Sequence, residues 1–270
     1  MGRAQKLMSP TPRIDAFRAQ LLGREPLMGT FLKTPSPIVC EVLGMSPLAC
    51  VCIDAEHAPF GRIEIDGCIA ALRAADMPSL VRVQTGTPGE ILTALDAGAS
   101  GVVLPHIAAG AQAAVAVRHA QYGRGGRGYA GSSRAARYTL KPMTDHLRDS
   151  AASTIVIAQI EDAEALDRLD DIASVEGIDC LFVGRIDLTI SLGAKTPTDA
   201  VVIDAVNKIC EVGVRHGKTI GMFIPPTESC ETWQRKGASF FMLASDHVFL
   251  LEGARALANK IEAKALSKNI

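Results

Sequence analysis

Short aliphatic segments alternate with longer, amphipathic segments along most of the chain. The aliphatic segments carry almost no charge, which is typical of strands that are buried on both faces of a parallel sheet. They predict eight strands, at about Met28–Leu32, Cys50–Asp54, Ser79–Val83, Gly101–Leu104, Ile155–Ile160, Cys180–Val183, Thr219–Phe223 and Phe240–Ala244.

The segments between these strands have apolar residues at helical spacing, which predicts a helix after each strand. The predicted helices cover Ile38–Leu43, Ile63–Ala74, Pro88–Asp96, Ala109–Ala120, Ala163–Leu169, Val201–His216 and Glu228–Lys236, and a long helix closes the chain at about Val248–Ala265. An opening helix near Ile14–Leu22 is expected to cap the N-terminal end of the sheet. Eight alternating strands and helices in 270 residues favour a closed (β/α)8 TIM barrel of the α/β class, predicted as one domain over residues 1–270.

The segment Gln121–Ser150 interrupts this alternation. It begins with the glycine-rich run from Gly123 to Gly128 and continues with Ser132, Ser133 and two arginines. We predict a long loop here, and loops of this length in compact domains usually serve function or a subunit contact.

Composition narrows the function classes. Hydrophobic residues make up 48% of the chain, aromatic residues only 4%, and the formal net charge is −1. This charge balance gives no indication of a nucleic-acid or membrane partner. The cysteines are seven in number and irregularly spaced, so we expect buried free thiols in a reducing cytoplasm rather than a zinc site or disulfides.

Polar and charged residues concentrate where the predicted strands end. In a barrel of this kind, groups at the C-terminal ends of the strands surround the active site. The residues at these ends include Asp54, Glu56, His57, Arg82, His106, Gln159, Glu161, Asp187 and Asp246.

Glu161 and Asp187 end neighbouring strands. Two carboxylates at adjacent strand ends repel each other unless a proton or a cation lies between them, and Mg²⁺ is bound through such carboxylates in proteins. A role for either residue in capping the following helix is the alternative.

Arg82 stands inside an otherwise apolar strand. A buried guanidinium stays charged and needs an anion, which could be a protein carboxylate, a substrate carboxylate or an enolate. His57, three residues after Asp54, is a candidate base held by a carboxylate. Asp96 could be bonded to His57 or Arg82, or could simply be an acid at a helix end.

Five motifs in register resemble one known family. They are Asp54-Ala55-Glu56-His57, Val81-Arg82-Val83, Leu95-Asp96-Ala97-Gly98-Ala99 with Leu104-Pro105, Gln159-Ile160-Glu161, and Gly184-x-x-Asp187-Leu188. Together they resemble the HpcH/HpaI aldolases, the class II pyruvate aldolases of the phosphoenolpyruvate/pyruvate barrel superfamily. The likeness runs from about Gly29 to Leu257.

The resemblance implies an aldolase that makes or cleaves 4-hydroxy-2-oxo acids from pyruvate, or a related 2-oxo acid, and an aldehyde. It implies that Glu161 and Asp187 hold a divalent ion such as Mg²⁺, Mn²⁺ or Co²⁺. Arg82 would stabilise the enolate oxygen together with this ion, and His57 paired with Asp96 would handle protons.

The same resemblance places Asp54, Glu56 and His106 around these groups and Gln159 at the substrate. It also places the turn Gly184-Arg185-Ile186-Asp187 against the pyruvate carboxylate. Family members often have Gly-Pro-(small)-Asp at this turn, so Arg185 and Ile186 are expected to change the pocket.

Members of the family commonly form trimer-based hexamers with the last helix on a neighbouring subunit. We therefore expect a homo-oligomer, a trimer or a hexamer, with residues 248–270 packed on another chain. The apolar residues Val248, Leu250, Leu251, Leu257 and Ile261 agree with this expectation.

Two alternatives stay open at this stage. A thioester lyase of the citrate lyase β or malyl-CoA type would share the barrel and the metal site, and a catalytically idle barrel would serve only as a scaffold. An aldolase could also use a lysine Schiff base, but of the chain's lysines only Lys33 lies just past a strand end, so we predict the metal route.

Overall fold

Eight parallel strands follow one another in chain order around a closed barrel, and the eighth strand pairs with the first. The computed structural model describes residues 12–266. The strands are β1 (Leu27–Leu32), β2 (Cys50–Asp54), β3 (Ser79–Arg82), β4 (Gly101–Leu104), β5 (Ile155–Ile160), β6 (Cys180–Val183), β7 (Thr219–Ile224) and β8 (Ala238–Ser245). The predicted TIM barrel is confirmed, while the predicted domain limits include residues 1–11 and 267–270, which lie outside the described part.

Helices surround this barrel. They are α1 (Arg13–Leu22), α2 (Pro37–Gly44), α3 (Arg62–Ala74), α4 (Pro88–Asp96), α5 (Gly110–Ala120), α6 (Met143–Ser153), α7 (Leu169–Ala173), α8 (Arg185–Ser191), α9 (Ala200–Arg215), α10 (Glu231–Gln234) and α11 (Asp246–Leu266). No helix among the described residues is long and apolar enough to cross a membrane.

The prediction of a continuous loop over Gln121–Ser150 was wrong, because α6 begins inside it. The buried residues of α6 are His146 and Ser150, so its inner face is polar and no apolar period marks it in the sequence. His146 Nε2 lies 3.0 Å from the Tyr122 hydroxyl, and Arg127 donates a hydrogen bond of 3.2 Å to Ser150 Oγ. Polar contacts therefore dock this helix.

Two further differences concern short helices. The helix predicted over Ala163–Leu169 is a 3₁₀ helix over Ala163–Arg168 followed by α7, and α8 was not predicted at all. All three elements have seven or fewer residues, which is too short for a helical apolar period to stand out.

Side chains of each strand alternate between the barrel interior and the surrounding helices. In β2, Cys50 and Cys52 belong to the interior cluster, while Val51 and Ile53 pack with the outer core. Because successive strand residues point to opposite faces, Asp54 at the end of β2 turns toward the interior.

The same alternation orients two other strands. Leu80 of β3 is an interior residue, so Arg82 is one too, and Ile157 of β5 is followed at the same spacing by Gln159 and Glu161. The apolar interior thus gives way to charged and polar groups at the C-terminal end of the barrel.

Helix α1 caps the N-terminal end of the barrel, as predicted. Its buried residues are Phe17 and Leu21, and the Phe17 ring meets that of Phe240 edge-on with the centroids 6.5 Å apart. Thr219 at the start of β7 donates a hydrogen bond of 2.6 Å to the carbonyl of Leu21.

Asp246 joins the first and last strands. It is buried at the junction of β8 and α11, and its carboxylate accepts hydrogen bonds from the backbone N–H groups of Lys33 at 2.7 Å and Thr34 at 3.0 Å. Asp246 was counted among the strand-end acids, and the structure gives it a structural contact at the end of β1.

Helix α11 leaves apolar side chains exposed in the single chain. Leu250, Leu251, Leu257 and Ile261 are each more than half exposed. Packing of this helix on a neighbouring subunit stays a prediction. All seven cysteines are free and six of them are buried, which agrees with the expected buried thiols.

Candidate active site

Asp54 organises the charged groups at the mouth of the barrel. It is fully buried, and Oδ1 accepts hydrogen bonds from Arg82 Nε at 3.0 Å and Nη2 at 2.8 Å. Its other oxygen lies 2.7 Å from Lys33 Nζ, and the backbone N–H of His57 donates to Oδ1 at 3.2 Å. Burial would raise the pKa of Asp54, but Arg82 and Lys33 outweigh it and lower that pKa below its usual value.

The sequence predicted that buried Arg82 would need an anion, and the structure supplies two. Besides Asp54, the carboxylate of Glu56 lies 3.2 Å from Arg82 Nε. The guanidinium also lies 4.7 Å from the centroid of the Phe31 ring. Burial disfavours the charged form, yet Asp54 and Glu56 raise the pKa of Arg82 further, so the residue is a fixed cation at the mouth.

Glu161 lies buried just after β5 and is held from three sides. Gln159 donates a hydrogen bond to Oε2, and the backbone N–H of His106 donates to Oε1 at 2.9 Å. A Cβ atom added at Gly184 would lie 2.6 Å from Oε2, so the end of β6 closely approaches this carboxylate. Only glycine fits there, and the orientation of Glu161 depends on it.

Glu56, His106 and Glu161 form the group of potential metal ligands found among the described residues. One ligand atom of each lies within 4.8 Å of the others. Carboxylate oxygens are the preferred ligands of Mg²⁺, whereas transition metals such as Mn²⁺ or Co²⁺ also accept an imidazole ligand. The donor set therefore fits a divalent cation.

The Glu56 carboxylate is repelled by that of Glu161, as expected for two carboxylates that share a cation site. Its pKa is raised by burial and by the nearby Glu161 carboxylate, although Arg82 and the histidines act in the opposite direction. Its Oε2 is the oxygen that is ion-paired with Arg82, and its Oε1 lies 3.7 Å from His106 Nε2. A cation between Glu56 and Glu161 would relieve the repulsion between the two carboxylates.

His106 turns into this cluster through an unusual backbone conformation. Its φ of 54° is left-handed, and its side chain is 59% exposed. Nδ1 lies 3.2 Å from an oxygen of Asp162 and 3.5 Å from Glu161 Oε1. These acids, with Glu56, raise the pKa of His106 against the effect of burial.

A cavity of about 340 Å³ opens beside these groups. Its walls include Arg82, Gln159, His57 and the turn from Gly184 to Asp187, with Phe31, Phe182 and Phe223 as apolar lining. Asp187 thus faces the same space, but it is not one of the three residues whose ligand atoms meet at Glu161. The assignment of Asp187 as a metal ligand stays a prediction.

Arg185, the departure from the family pattern, lines the cavity and is ion-paired with Glu228. Its guanidinium binds the Glu228 carboxylate through two hydrogen bonds, one of 2.8 Å, and lies 5.5 Å from the Trp233 ring centroid. Trp233 Nε1 donates to the same carboxylate at 2.6 Å. Ile186 beside it is 53% exposed at the cavity wall. Arg185 therefore fixes the segment after β7 against the turn after β6.

Asp96 lies on the outer side of the barrel, at the end of α4. Its nearest cation is Arg127, whose Nε is 3.8 Å from Oδ1, and burial raises the pKa of Asp96. In the described part of the chain no hydrogen bond joins Asp96 to His57, whose side chain is 54% exposed. Their action as a pair stays a prediction.

Sequence reasoning missed three of the contacts at this site. Lys33 was considered as a nucleophile, but not as an ion-pair partner of Asp54. Asp162 and Glu228 were not assigned to the site either. The position of Lys33 just after β1 was a usable signal, because strand ends converge in a barrel. Glu228 follows β7 by four residues and gave no comparable signal.

Known aldolases are similar to this chain in sequence. A hydroxypyruvate/pyruvate aldolase of Paraburkholderia phytofirmans is 32% identical over 257 residues, 92% of this chain and 98% of the relative. A 5-keto-4-deoxy-D-glucarate aldolase of Shigella boydii is 30% identical over 234 residues, 86% of this chain and 90% of the relative.

The fold has a similar solved counterpart. The crystal structure of a HpcH/HpaI aldolase/citrate lyase family protein from Burkholderia cenocepacia J2315 matches with a TM-score of 0.86 and 32% identity, covering 92% of this chain and 99% of that one. The model of the HpcH/HpaI aldolase/citrate lyase family matches residues 27–252. The chain therefore belongs to the HpcH/HpaI aldolase/citrate lyase family.

Proposed function

We propose that this protein is a class II aldolase that joins pyruvate, or a related 2-oxo acid, to an aldehyde and catalyses the reverse cleavage of a 4-hydroxy-2-oxo acid. The observation that carries the proposal is the buried Arg82 beside the carboxylates of Glu56 and Glu161 at the barrel mouth. A fixed cation and a candidate cation site at one cavity suit a reaction in which negative charge develops on oxygen.

The residues that would hold a divalent cation are Glu161 and Asp187, as the family resemblance implies, with Glu56 and His106 alongside. When bound, the cation would polarise the keto group of the 2-oxo acid as a Lewis acid. The near approach of Gly184 to Glu161 keeps this carboxylate in place.

Arg82 would stabilise the enolate oxygen. Its guanidinium is held by Asp54 before substrate binds, so the charge is already oriented and little rearrangement accompanies the reaction. Lys33 is ion-paired with the same carboxylate, and an ammonium group in an ion pair has no lone pair with which to attack a carbonyl. This contact supports the metal route over a Schiff base.

His57 would move the proton at the aldehyde oxygen. In the cleavage direction the 4-hydroxyl loses a proton, and in the condensation direction the new alkoxide gains one. The His57 side chain lines the mouth cavity and is exposed enough to reach a bound substrate. Gln159, with Oε1 buried and without a donor in the described residues, is placed to accept a hydrogen bond from substrate.

The proposal is tested by following the methyl protons of pyruvate in D₂O by NMR, an assay that needs no knowledge of the aldehyde. We expect exchange with added Mg²⁺, Mn²⁺ or Co²⁺ and none in excess EDTA. Borohydride treatment with pyruvate should leave the protein mass unchanged. Exchange that persists in chelator, or a pyruvyl-lysine adduct, would contradict the metal route.

The thioester lyase is the second candidate, because the family includes citrate lyases. The two curated relatives described above are aldolases, which favours the first candidate. Incubation with a panel of aldehydes and pyruvate should yield 4-hydroxy-2-oxo acids, whereas cleavage of 3-hydroxyacyl-CoA thioesters to acetyl-CoA and a 2-oxo acid would favour the lyase. We further propose a homo-oligomer that works in the cytoplasm.

A further inference from the structure

A second cavity, of about 430 Å³, lies at the opposite end of the barrel from the mouth. Its walls include residues 98–100, which come just before β4, Thr154, which comes just before β5, and Ile14 of α1. Residues that precede parallel strands lie at the N-terminal end of the barrel. Strand β5 separates Thr154 from Glu161 by roughly 20 Å at the usual rise per strand residue. The cavity is therefore separate from the proposed active site.

Positive charge dominates the lining of this N-terminal cavity. The charged side chains in its walls are Arg73, Arg127, Arg137, Lys141, Asp15 and Asp149. Four cations against two acids leave a formal charge of +2 with the lining His146 neutral. The whole protein has a formal net charge of −1, so the N-terminal cavity has a local excess of positive charge.

Two of these cations have no counter-ion within hydrogen-bonding or ion-pair distance among the described residues. Lys141 pairs with Asp149 at 2.8 Å, but neither Arg73 nor Arg137 has a carboxylate within 4.0 Å among the described side chains. Arg73 donates only to the carbonyl of Gly98, at 3.1 Å. Burial lowers the pKa of Arg73, the cations Arg134 and Arg137 lower it further, and Asp15 acts in the opposite direction.

The wall of the N-terminal cavity contains a third, buried guanidinium. Arg127 is 6% exposed, donates to Ser150, and lies 4.0 Å from the centroid of the Tyr122 ring. Its Nε lies 3.8 Å from Asp96 Oδ1, and neither of these buried atoms has a hydrogen-bond partner within the described structure. Buried polar atoms without partners are rare in folded proteins.

The backbone that carries Arg137 is strained. Arg137, Tyr138 and Thr139 have φ values of 54°, 52° and 75°, three consecutive left-handed residues without glycine. This conformation is unusual for any side chain and especially for the β-branched Thr139. The Thr139 N–H donates to the carbonyl of Gly131 at 2.8 Å and helps to hold the turn. Strain of this kind clusters at binding sites, because it fixes side chains where a ligand needs them.

We propose that the N-terminal cavity binds a small metabolite through an oxyanion group, phosphate or carboxylate, clamped between Arg73 and Arg137. Guanidinium groups present a planar pair of donors that matches both oxyanions. A volume of about 430 Å³ is enough for a ligand of this size. Arg127 would contribute positive charge from the wall.

The test is calorimetric titration with inorganic phosphate, and separately with succinate, of the full-length protein that has been treated with EDTA and then dialysed into metal-free buffer without chelator. The chelator removes any metal that could bind anions at the mouth, so the result does not depend on the proposed aldolase activity. We expect saturable binding of at least one of the two anions with a stoichiometry of one per chain. Phosphate alone or succinate alone would identify which oxyanion the site accepts.

Two variants and a matched control locate the site. Arg137→Gln changes an exposed residue and should fold normally, while Arg73→Lys keeps the charge and the bond to Gly98 but loses the planar pair of donors. Each should weaken anion binding at least about tenfold, as expected for loss of one charge-assisted contact. Arg168→Gln removes an exposed arginine on the 3₁₀ helix and should leave binding unchanged.

Two results would overturn the proposal. One is a wild-type protein that binds neither anion in a saturable way. The other is a loss of affinity in Arg168→Gln as large as that in Arg137→Gln, which would mean binding by net charge alone.

Discussion

Gly184→Ala provides a sharp test of the proposed active site, because it changes one methyl group at a known distance from Glu161. Gly184 has φ −83°, which alanine adopts without strain, so the effect is steric. The added Cβ would lie 2.6 Å from Glu161 Oε2 and 2.7 Å from its Cβ, whereas ordinary contacts begin at 3.4 Å. The carboxylate must therefore move by 3.4 − 2.6 = 0.8 Å or more, and the Cβ of Glu161 by almost as much.

The expected loss follows from this displacement. A misplacement of about 1 Å at a reacting centre costs about 10²-fold in rate, or about 2.7 kcal/mol of activation free energy. We expect Gly184→Ala to lower the rate of metal-dependent pyruvate proton exchange by about that factor and to raise the metal concentration needed for half-maximal rate. Overpacking should lower the free energy of unfolding by about 1–3 kcal/mol, which urea denaturation would measure.

Gly89→Ala is the matched control. No atom lies within 4 Å of a Cβ added there, in the first turn of α4. This variant should keep the wild-type rate and equal or slightly higher stability, because alanine is a better helix former than glycine. A Gly184→Ala protein that keeps both the wild-type exchange rate and the wild-type metal requirement would refute the placement of Glu161 at the reacting centre.

Four other predictions use the same assay or simpler ones. Arg82→Lys should keep the fold by circular dichroism but lower exchange about 100-fold, since the planar donor pair is lost; near-wild-type turnover would show that the guanidinium is only structural. If His57 and Asp96 act as a unit, His57→Ala combined with Asp96→Asn should cost little more than the worse single change in aldol cleavage, and additive losses would separate them. Glu228→Gln should lower the free energy of unfolding at neutral pH by about 1–3 kcal/mol in urea denaturation, because it leaves a buried guanidinium without its carboxylate. The Arg185 contact lowers the pKa of Glu228, so the stability advantage of the wild type over this variant should be present above pH 4.5 and disappear as the pH falls through the lowered pKa. A stability advantage that does not depend on pH would contradict the ion pair. Light scattering at micromolar concentration should give an oligomer through the exposed apolar residues of α11, and a clean monomer would contradict this.

The barrel and the centre of its mouth could be predicted because period-two alternation and strand ends are local features of the sequence. Cys50, Cys52 and Asp54 point to one side of β2 by spacing alone, and Arg82 is conspicuous as a charge within an apolar strand. Neighbouring parallel strands then bring such residues together without further information.

The remaining contacts depend on geometry that no local pattern encodes. His106 reaches Glu161 through a left-handed turn, and Arg185 finds its partner 43 residues later, in a connection without periodicity. Helix α6 was not predicted for a related reason. Its inner face is polar and is hydrogen-bonded to Tyr122 and Arg127. Polar contacts between segments that are distant in sequence leave no local pattern from which they could be predicted.

The position of Asp246 has a consequence for how the chain could be rearranged. The first and last strands of any closed barrel meet at a seam that no loop bridges, and here a carboxylate at the start of α11 extends the pairing of β8 with β1 by binding the backbone after β1. The residues of α11 beyond this first turn do not take part in this contact. The closure of the barrel therefore does not depend on the rest of the helix. A chain shortened within α11 would keep this contact, whereas one cut just before Asp246 would lose it and keep only the pairing of β8 with β1. The boundary between the barrel and the exposed part of α11 thus falls within one helical turn.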